Sequence, residues 1–135
     1  VQWETGRDLC LKMLYALDRA ELILLLTQKI KDYKHMIAPE KIYLNNTNLM
    51  KAIAPITDIG TIRETFFANQ VSAIADITMP KKGDFMLDGK WLFEVGGQSK
   101  TFDQIANIPN SFLAIDETEV GIGNKIPLWM FGLLY

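Results

Sequence analysis

Hydrophobic residues at the start of the chain first follow a helical period and then form two short runs. One face of a helix predicted over residues 6–20 carries Leu9, Cys10, Met13, Leu14 and Leu17. The apolar residues 22–27 and 41–44 predict two strands, and the segment 28–38 between them is polar. This order of helix, strand, polar loop and strand is typical of the end of a winged helix, in which the loop is the wing.

The second half of the chain has the pattern of a small mixed domain. Its predicted elements are a helix over residues 61–76, strands at 77–79, 84–87 and 90–95, a helix at 101–107 and a strand at 111–115. The dipeptide Asp88-Gly89 favours a type I′ hairpin, because both central residues of that turn need positive φ. The predicted fold class is therefore α+β (mixed α/β), with α-β-β-β-α-β order from about residue 61.

A boundary between two units is predicted before this second half. Residues 45–47 have side chains that favour turns and helix N-caps, so they predict the start of a short helix. This helix is predicted to end near Ile53, because Pro55 stops it. The predicted division is a partial winged-helix-like segment with its connector helix over residues 1–54 and a second domain over residues 55–135.

Composition and charge narrow the class of protein. The chain has 135 residues, 49% of them hydrophobic, which suffices for one compact domain or one domain with a small appendage. A net charge of −2 argues against a broad surface that coats nucleic acid.

Cys10 is the single cysteine, which excludes an internal disulfide and favours a cytoplasmic protein. The apolar neighbours of Cys10 predict that its side chain is buried. Because no apolar run reaches about 18 residues, no membrane partner is expected, and the start at Val1 without Met is interpreted as that of a fragment.

Two carboxylates are predicted to converge at the end of the hairpin. Asp84 begins its first strand and Glu94 lies near the end of its second strand. Glu94 stands between Phe93 and Val95, and a carboxylate in an apolar strand needs a partner or an ion. Mg²⁺ or Mn²⁺ is the expected ion, since Mg²⁺ binds through one or two carboxylates plus waters and phosphate oxygens. The alternative interpretation is that Asp84 simply begins a strand.

Glu64 has two interpretations. Thr61 and Glu64 have the spacing of a capping box, in which Thr61 would be the N-cap and Glu64 would close the box. Nothing local in the sequence brings Glu64 near Asp84, so a role as a third metal ligand depends on the fold.

The order and spacing of these residues resemble those of the PD-(D/E)xK restriction-endonuclease-like superfamily. The motifs are Glu64-x-x-Phe67, Gly83-Asp84-Phe85 and Phe93-Glu94-Val95. More closely, the chain resembles the C-terminal region of a class of prokaryotic AAA-type ATPases, in which a P-loop ATPase is followed by a winged helix and a nuclease-like domain. The segments that carry this closer resemblance are residues 43–49, 60–70, 80–94 and 123–129.

The resemblance implies a restriction-endonuclease-like core and assigns roles to individual residues. Glu64 would be the acidic residue of the helix, Asp84 the metal-binding aspartate, and Glu94 the acidic residue of an ExK motif. The lysine of that motif belongs two positions after the glutamate, where this sequence has Gly96. Lys100 is the residue that could replace it, and the alternative is a solvated lysine at the start of a helix.

The sequence leaves three hypotheses about function. The first is a non-catalytic module of a parent ATPase, which serves assembly or binds a nucleic acid or protein partner and contacts the N-terminal ATPase portion of the same chain. The second is a weak nuclease that uses Mg²⁺ or Mn²⁺ with Glu64, Asp84, Glu94 and Lys100. The third is DNA binding by the wing through its lysines, Lys29, Lys31 and Lys34. The chain contains no Gly-x-x-x-x-Gly-Lys-Ser/Thr motif, so it has no P-loop of its own.

Overall fold

The fold combines helices with two separate sheets, in a computed structural model that describes residues 6–134. The helices are α1 (Gly6–Arg19), α2 (Thr47–Ile53), α3 (Ile59–Ser72) and a C-terminal 3-10 helix (Leu128–Leu133). The strands are β1 (Ile23–Leu26), β2 (Lys41–Leu44), β3 (Ile77–Thr78), β4 (Phe85–Leu87), β5 (Trp91–Gly96), β6 (Ser111–Ile115) and β7 (Lys125–Pro127). The predicted mixed α+β class is confirmed, and no helix among the described residues is both long enough and apolar enough to cross a membrane.

The two sheets differ in size and in strand direction. β1 and β2 form an antiparallel pair, and the wing interpretation of the loop between them stays a prediction. The larger sheet has the order β3-β4-β5-β6-β7, with antiparallel pairs from β3 to β5 and parallel pairs from β5 to β7. β5 is therefore a central strand, which explains why Leu92, Glu94 and Val95 are all buried.

The main core lies between α3 and one face of the larger sheet. Phe67 of α3 is fully buried, and its ring centroid lies 5.1 Å from those of Phe85 and Phe93. Leu24 and Tyr43 of the smaller sheet belong to the same cluster of buried residues. The other face of the sheet buries a smaller cluster that includes Leu92, Ile105, Leu113 and Ile115. The boundary near residue 54 stays a prediction, and residues from both sides of it share one core.

The capping-box prediction for Thr61 and Glu64 is wrong. α3 begins two residues earlier, at Ile59, and Asp58 is its N-cap. The Asp58 carboxylate accepts a hydrogen bond of 2.9 Å from the Thr61 backbone N–H, so Thr61 lies inside the first turn. Asp58 out-competes Thr61 because aspartate caps helices at least as well as threonine. The Glu64 side chain is consequently available for contacts outside its own helix.

The predicted helix over residues 101–107 is also wrong. The segment 101–110 forms successive turns, with backbone hydrogen bonds from Ile105 to Phe102 and from Ile108 to Ile105. Ile105 is its one fully buried side chain, so a regular helix would gain little additional burial. Since β7 also adds a strand, the restriction-endonuclease-like order is not established by these elements.

The apolar face predicted for α1 is exposed instead of buried. Leu9, Met13 and Leu17 are 51%, 60% and 41% exposed, and Cys10 is exposed as well. α1 packs through a different face, on which Tyr15 and Asp18 are buried. The prediction for Cys10 is therefore wrong, because helical periodicity identifies an apolar face without identifying what covers it.

Candidate active site

The β4–β5 hairpin brings Asp84 and Glu94 to neighbouring strands. Asp88 and Gly89 have φ values of 51° and 63°, as the predicted type I′ turn requires. Phe85 pairs with Phe93 across the hairpin, and the Asp84 backbone N–H donates to the Phe93 carbonyl at 2.9 Å. The Asp84 side chain is fixed as well, because Oδ2 accepts a hydrogen bond of 2.8 Å from the Val95 N–H.

Glu94 is a buried carboxylate with one free oxygen. Its neighbours Phe93 and Val95 belong to the main core, so Glu94 faces the opposite side of the sheet by strand alternation. Only 1% of Glu94 is exposed. Lys100 Nζ lies 2.7 Å from Oε1, whereas Oε2 has no hydrogen-bond partner among residues 6–134. Because an unsatisfied buried carboxylate oxygen is costly, Oε2 marks a place where a ligand would be stabilising.

Lys100 takes the space beside Gly96 that a side chain at position 96 would fill. A Cβ added to Gly96 would lie 2.9 Å from both Cγ and Cδ of Lys100 and 3.0 Å from its Cβ. The aliphatic part of Lys100 therefore lies against the backbone of Gly96, and its ammonium group reaches Glu94. The ammonium group of Lys100 thus takes the place that the side chain of a lysine at position 96, two residues after Glu94, would occupy.

Glu64 is held by two residues of β2. Its Oε2 accepts a hydrogen bond of 2.6 Å from the Tyr43 hydroxyl, and Lys41 Nζ lies 3.2 Å from the same oxygen. Burial, followed by the hydrogen bond to Glu64, raises the pKa of Tyr43 well above its ordinary value, so the phenol keeps its proton. The smaller sheet thus fixes a carboxylate of the second half of the chain.

The charges of these residues influence one another. Burial, followed by the charge of Glu64, raises the pKa of Asp84, although the Val95 N–H and the charges of Lys100 and Lys41 oppose the rise. Burial lowers the pKa of Lys100, but the hydrogen bond to Glu94 and the surrounding carboxylates raise it overall, so Lys100 is cationic. Glu64, Asp84, Glu94 and Lys100 therefore belong to one electrostatic cluster.

The carboxylates suit a divalent cation held by two side chains. In the part of the chain that the structure describes, no group of three or more His, Cys, Asp or Glu residues is arranged to hold a metal ion. Mg²⁺ takes one or two carboxylates together with waters, so Asp84 and Glu94 stay the predicted ligands, and Glu94 Oε2 has no partner among the described residues. Glu64 has its Oε2 engaged by Tyr43 and Lys41, so its role as a third metal ligand stays a prediction.

Three residues of the cluster and its rim were missed by sequence reasoning: Lys41, Tyr43 and Arg63. Arg63 donates to Asp116 at 2.9 Å, and its guanidinium lies 3.0 Å from the position that a Cβ on Gly97 would take. Both glycines after Glu94 thus make room for a cationic side chain. No local signal identifies these contacts, because each joins residues that are distant in sequence.

The three lysines of the loop between β1 and β2 are not equivalent. Lys31 forms an ion pair of 2.7 Å with Asp18, which also accepts hydrogen bonds from the Leu25 N–H and the Tyr33 hydroxyl. Lys31 therefore ties the loop to α1, and its role in nucleic-acid binding stays a prediction. Lys29 and Lys34 are exposed, and their role in nucleic-acid binding stays a prediction.

Comparison of the chain with protein-family models, with curated proteins and with solved structures finds no match.

Proposed function

We propose that the chain is a nuclease-like module that hydrolyses a phosphodiester with the help of a divalent cation. The observation that carries this proposal is Lys100, which fills the space beside Gly96 and lies 2.7 Å from Glu94. The glycine at the expected lysine position is thus accompanied by a lysine that reaches the same carboxylate. In keeping with the resemblance, the parent protein would be an ATPase of the AAA type.

Each residue of the cluster has a defined part in this proposal. Asp84 and Glu94 would hold Mg²⁺ or Mn²⁺, which lowers the pKa of water and stabilises charge on a phosphoryl oxygen when it is bound. The Lys100 ammonium offsets the negative charge that develops on the phosphate. Glu64, fixed by Tyr43 and Lys41, keeps a negative charge near Asp84 and Lys100.

The test is nicking of supercoiled DNA by the purified chain in Mg²⁺ and in Mn²⁺. We expect Glu94→Gln and Lys100→Gln each to lower the rate by roughly 100-fold, since both remove preorganised charge from the site. Glu119→Gln is the matched control, because it removes an exposed carboxylate outside the cluster. Absence of cleavage with either cation, together with no cation binding by calorimetry, would refute the proposal.

A non-catalytic assembly module is the second candidate, and the exposed face of α1 favours it. Leu9, Met13 and Leu17 form an apolar stripe that nothing covers among the described residues. This candidate predicts that Leu9→Gln/Met13→Gln weakens association with the ATPase portion of the parent chain. It also predicts that Glu94→Gln leaves that association unchanged, which separates the two functions.

A further inference from the structure

A cavity of about 420 Å³ lies next to the candidate active site. Its lining residues are Lys81, Lys82, Gly83, Asp103 and Gln104. One wall runs directly into Asp84, and the other belongs to the turns that follow Lys100. The Cα atoms of Lys82 and Asp84 are at most about 7.6 Å apart, because each trans peptide spans about 3.8 Å. We call this space the lysine cavity.

Packed contacts hold the base of the lysine cavity. Gly83 has a φ of 81°, and a Cβ there would lie 3.0 Å from Leu92 and 3.4 Å from Ile105. Ile105 is fully buried, and its carbonyl accepts a hydrogen bond of 3.1 Å from the Ser111 hydroxyl. The two walls therefore meet at a packed contact between Gly83 and Ile105, and the exposed side chains of Lys81 and Lys82 project from one of them.

The lysine cavity has an excess of positive charge. Lys81 and Lys82 are exposed, and their side chains have no ion pair or hydrogen bond within residues 6–134. The single carboxylate among the lining residues, Asp103, accepts a hydrogen bond of 2.6 Å from the Thr101 hydroxyl. Two unpaired ammonium groups in a chain of net charge −2 are a local site for an anion.

We infer that the lysine cavity binds a phosphate of a nucleic-acid strand next to the phosphate that reacts at Asp84, Glu94 and Lys100. This inference rests on the proposed function and adds a contact with a second phosphate of the substrate strand, outside the reacting phosphate. Lysine binds phosphate as a point charge, and each neutralised phosphate adds to the salt dependence of binding. A diester with a single phosphate occupies the candidate active site alone and gains nothing from Lys81 and Lys82.

Binding of fluorescein-labelled DNA tests the inference with Lys81→Gln/Lys82→Gln. Anisotropy is measured for single-stranded and double-stranded probes in Ca²⁺, which replaces Mn²⁺ so that the strand stays intact. We expect affinity to fall about tenfold at low salt, and the slope of log affinity against log salt to fall by about one to two. The control is Lys51→Gln/Lys90→Gln, which removes the same charge from exposed lysines elsewhere and leaves both quantities unchanged.

Hydrolysis of bis(4-nitrophenyl) phosphate in Mn²⁺ provides the second measurement. We expect the Lys81→Gln/Lys82→Gln variant to hydrolyse this small diester at the wild-type rate. Wild-type DNA affinity in the variant, or an equal loss with the small diester, overturns the inference. If the Lys81→Gln/Lys82→Gln variant loses DNA affinity but the wild-type chain hydrolyses neither substrate, the role of the lysine cavity in DNA binding is supported and the proposed hydrolysis is refuted.

Discussion

The Tyr43 hydroxyl donates a hydrogen bond of 2.6 Å to Glu64, although 21 positions separate the two residues in sequence. Tyr43 also packs against Phe85, with ring centroids 5.7 Å apart. β2 thereby contacts both the core behind the β4–β5 hairpin and a carboxylate of the cluster. The candidate active site consequently depends on residues from both halves of the chain.

Tyr43→Phe should separate the hydrogen bond from the ring packing. We expect a loss of about 1–2 kcal/mol in the free energy of unfolding, because Glu64 loses a buried donor while the ring contact remains. DNA nicking should slow as well, because Glu64 is no longer fixed. Urea unfolding and the nicking rate are the measurements.

Tyr33→Phe is the matched control, since the Tyr33 hydroxyl donates to Asp18 at the same distance of 2.6 Å, outside the cluster. It should lower stability and leave nicking unchanged. Equal slowing in both variants would show that the effect of Tyr43 arises from stability alone.

Gly96→Ala should displace Lys100. The added methyl would lie within 3.0 Å of three carbons of the Lys100 side chain, so the ammonium must move away from Glu94. We expect DNA nicking to fall roughly tenfold or more, because electrostatic stabilisation depends on placement. Gly6→Ala is the control, since no side chain of the described residues lies within 4 Å of its added methyl.

The double variant Gly96→Lys/Lys100→Ala tests the same geometry from the other position. It places a lysine two residues after Glu94, and it removes both the lysine that reaches Glu94 now and the Cγ and Cδ atoms that would clash with a side chain at 96. We expect it to nick DNA faster than Lys100→Ala alone. Equal rates for the two variants would contradict the equivalence of the two lysine positions.

Asp84→Asn should stabilise the protein at neutral pH while it abolishes cation binding. The pKa of Asp84 is higher in the folded protein than in the unfolded chain, chiefly because of burial. Its contribution to stability is therefore complete below the unfolded pKa and is lost as pH rises through the folded pKa. Thermal melts should show a higher Tm for Asp84→Asn at pH 7 and a smaller difference in acid. A lower Tm for the variant at pH 7 would contradict this.

Asp18→Ala should destabilise the first half of the chain strongly. Asp18 is buried and accepts hydrogen bonds from Lys31, Tyr33 and the Leu25 N–H, so its removal leaves a partly buried ammonium unpaired. Burial and Asp18 raise the pKa of Tyr33 to about 12, which keeps the phenol a donor at neutral pH. We expect a loss of roughly 3 kcal/mol in the free energy of unfolding by urea. Asp32→Ala, which removes an exposed carboxylate, should leave the urea midpoint unchanged.

Features encoded by neighbouring residues were predictable. The hairpin at Asp88-Gly89 and the N-cap of α2 at Asn46 follow from local backbone preferences, and the structure has both. The prediction of where α3 begins was wrong because Asp58 and Thr61, which stand three residues apart, are both good N-cap residues. The prediction of a helix after Lys100 was wrong because the spacing of apolar residues does not indicate how much surface a segment can bury.

Contacts over long sequence separations were beyond local patterns. Glu64 meets Tyr43 and Lys41 because α3 packs beside β2, and no periodicity encodes that arrangement. The closeness of Lys100 to Glu94 was a hypothesis from resemblance, and the backbone of Gly96 is what permits it. The exposed stripe on α1 shows the same limit, since an apolar helix face has the same sequence pattern whether it is buried or exposed.

The contact between Gly96 and the Lys100 side chain should restrict which residues can occur together at these two positions in related sequences. A larger residue at 96 is tolerated only when the side chain at 100 shortens or turns away, and a lysine at 100 can approach Glu94 only over a glycine. Related sequences should therefore contain either a lysine at 96 with a variable residue at 100, or glycine and lysine together. A search pattern that requires lysine two positions after the glutamate overlooks the second group.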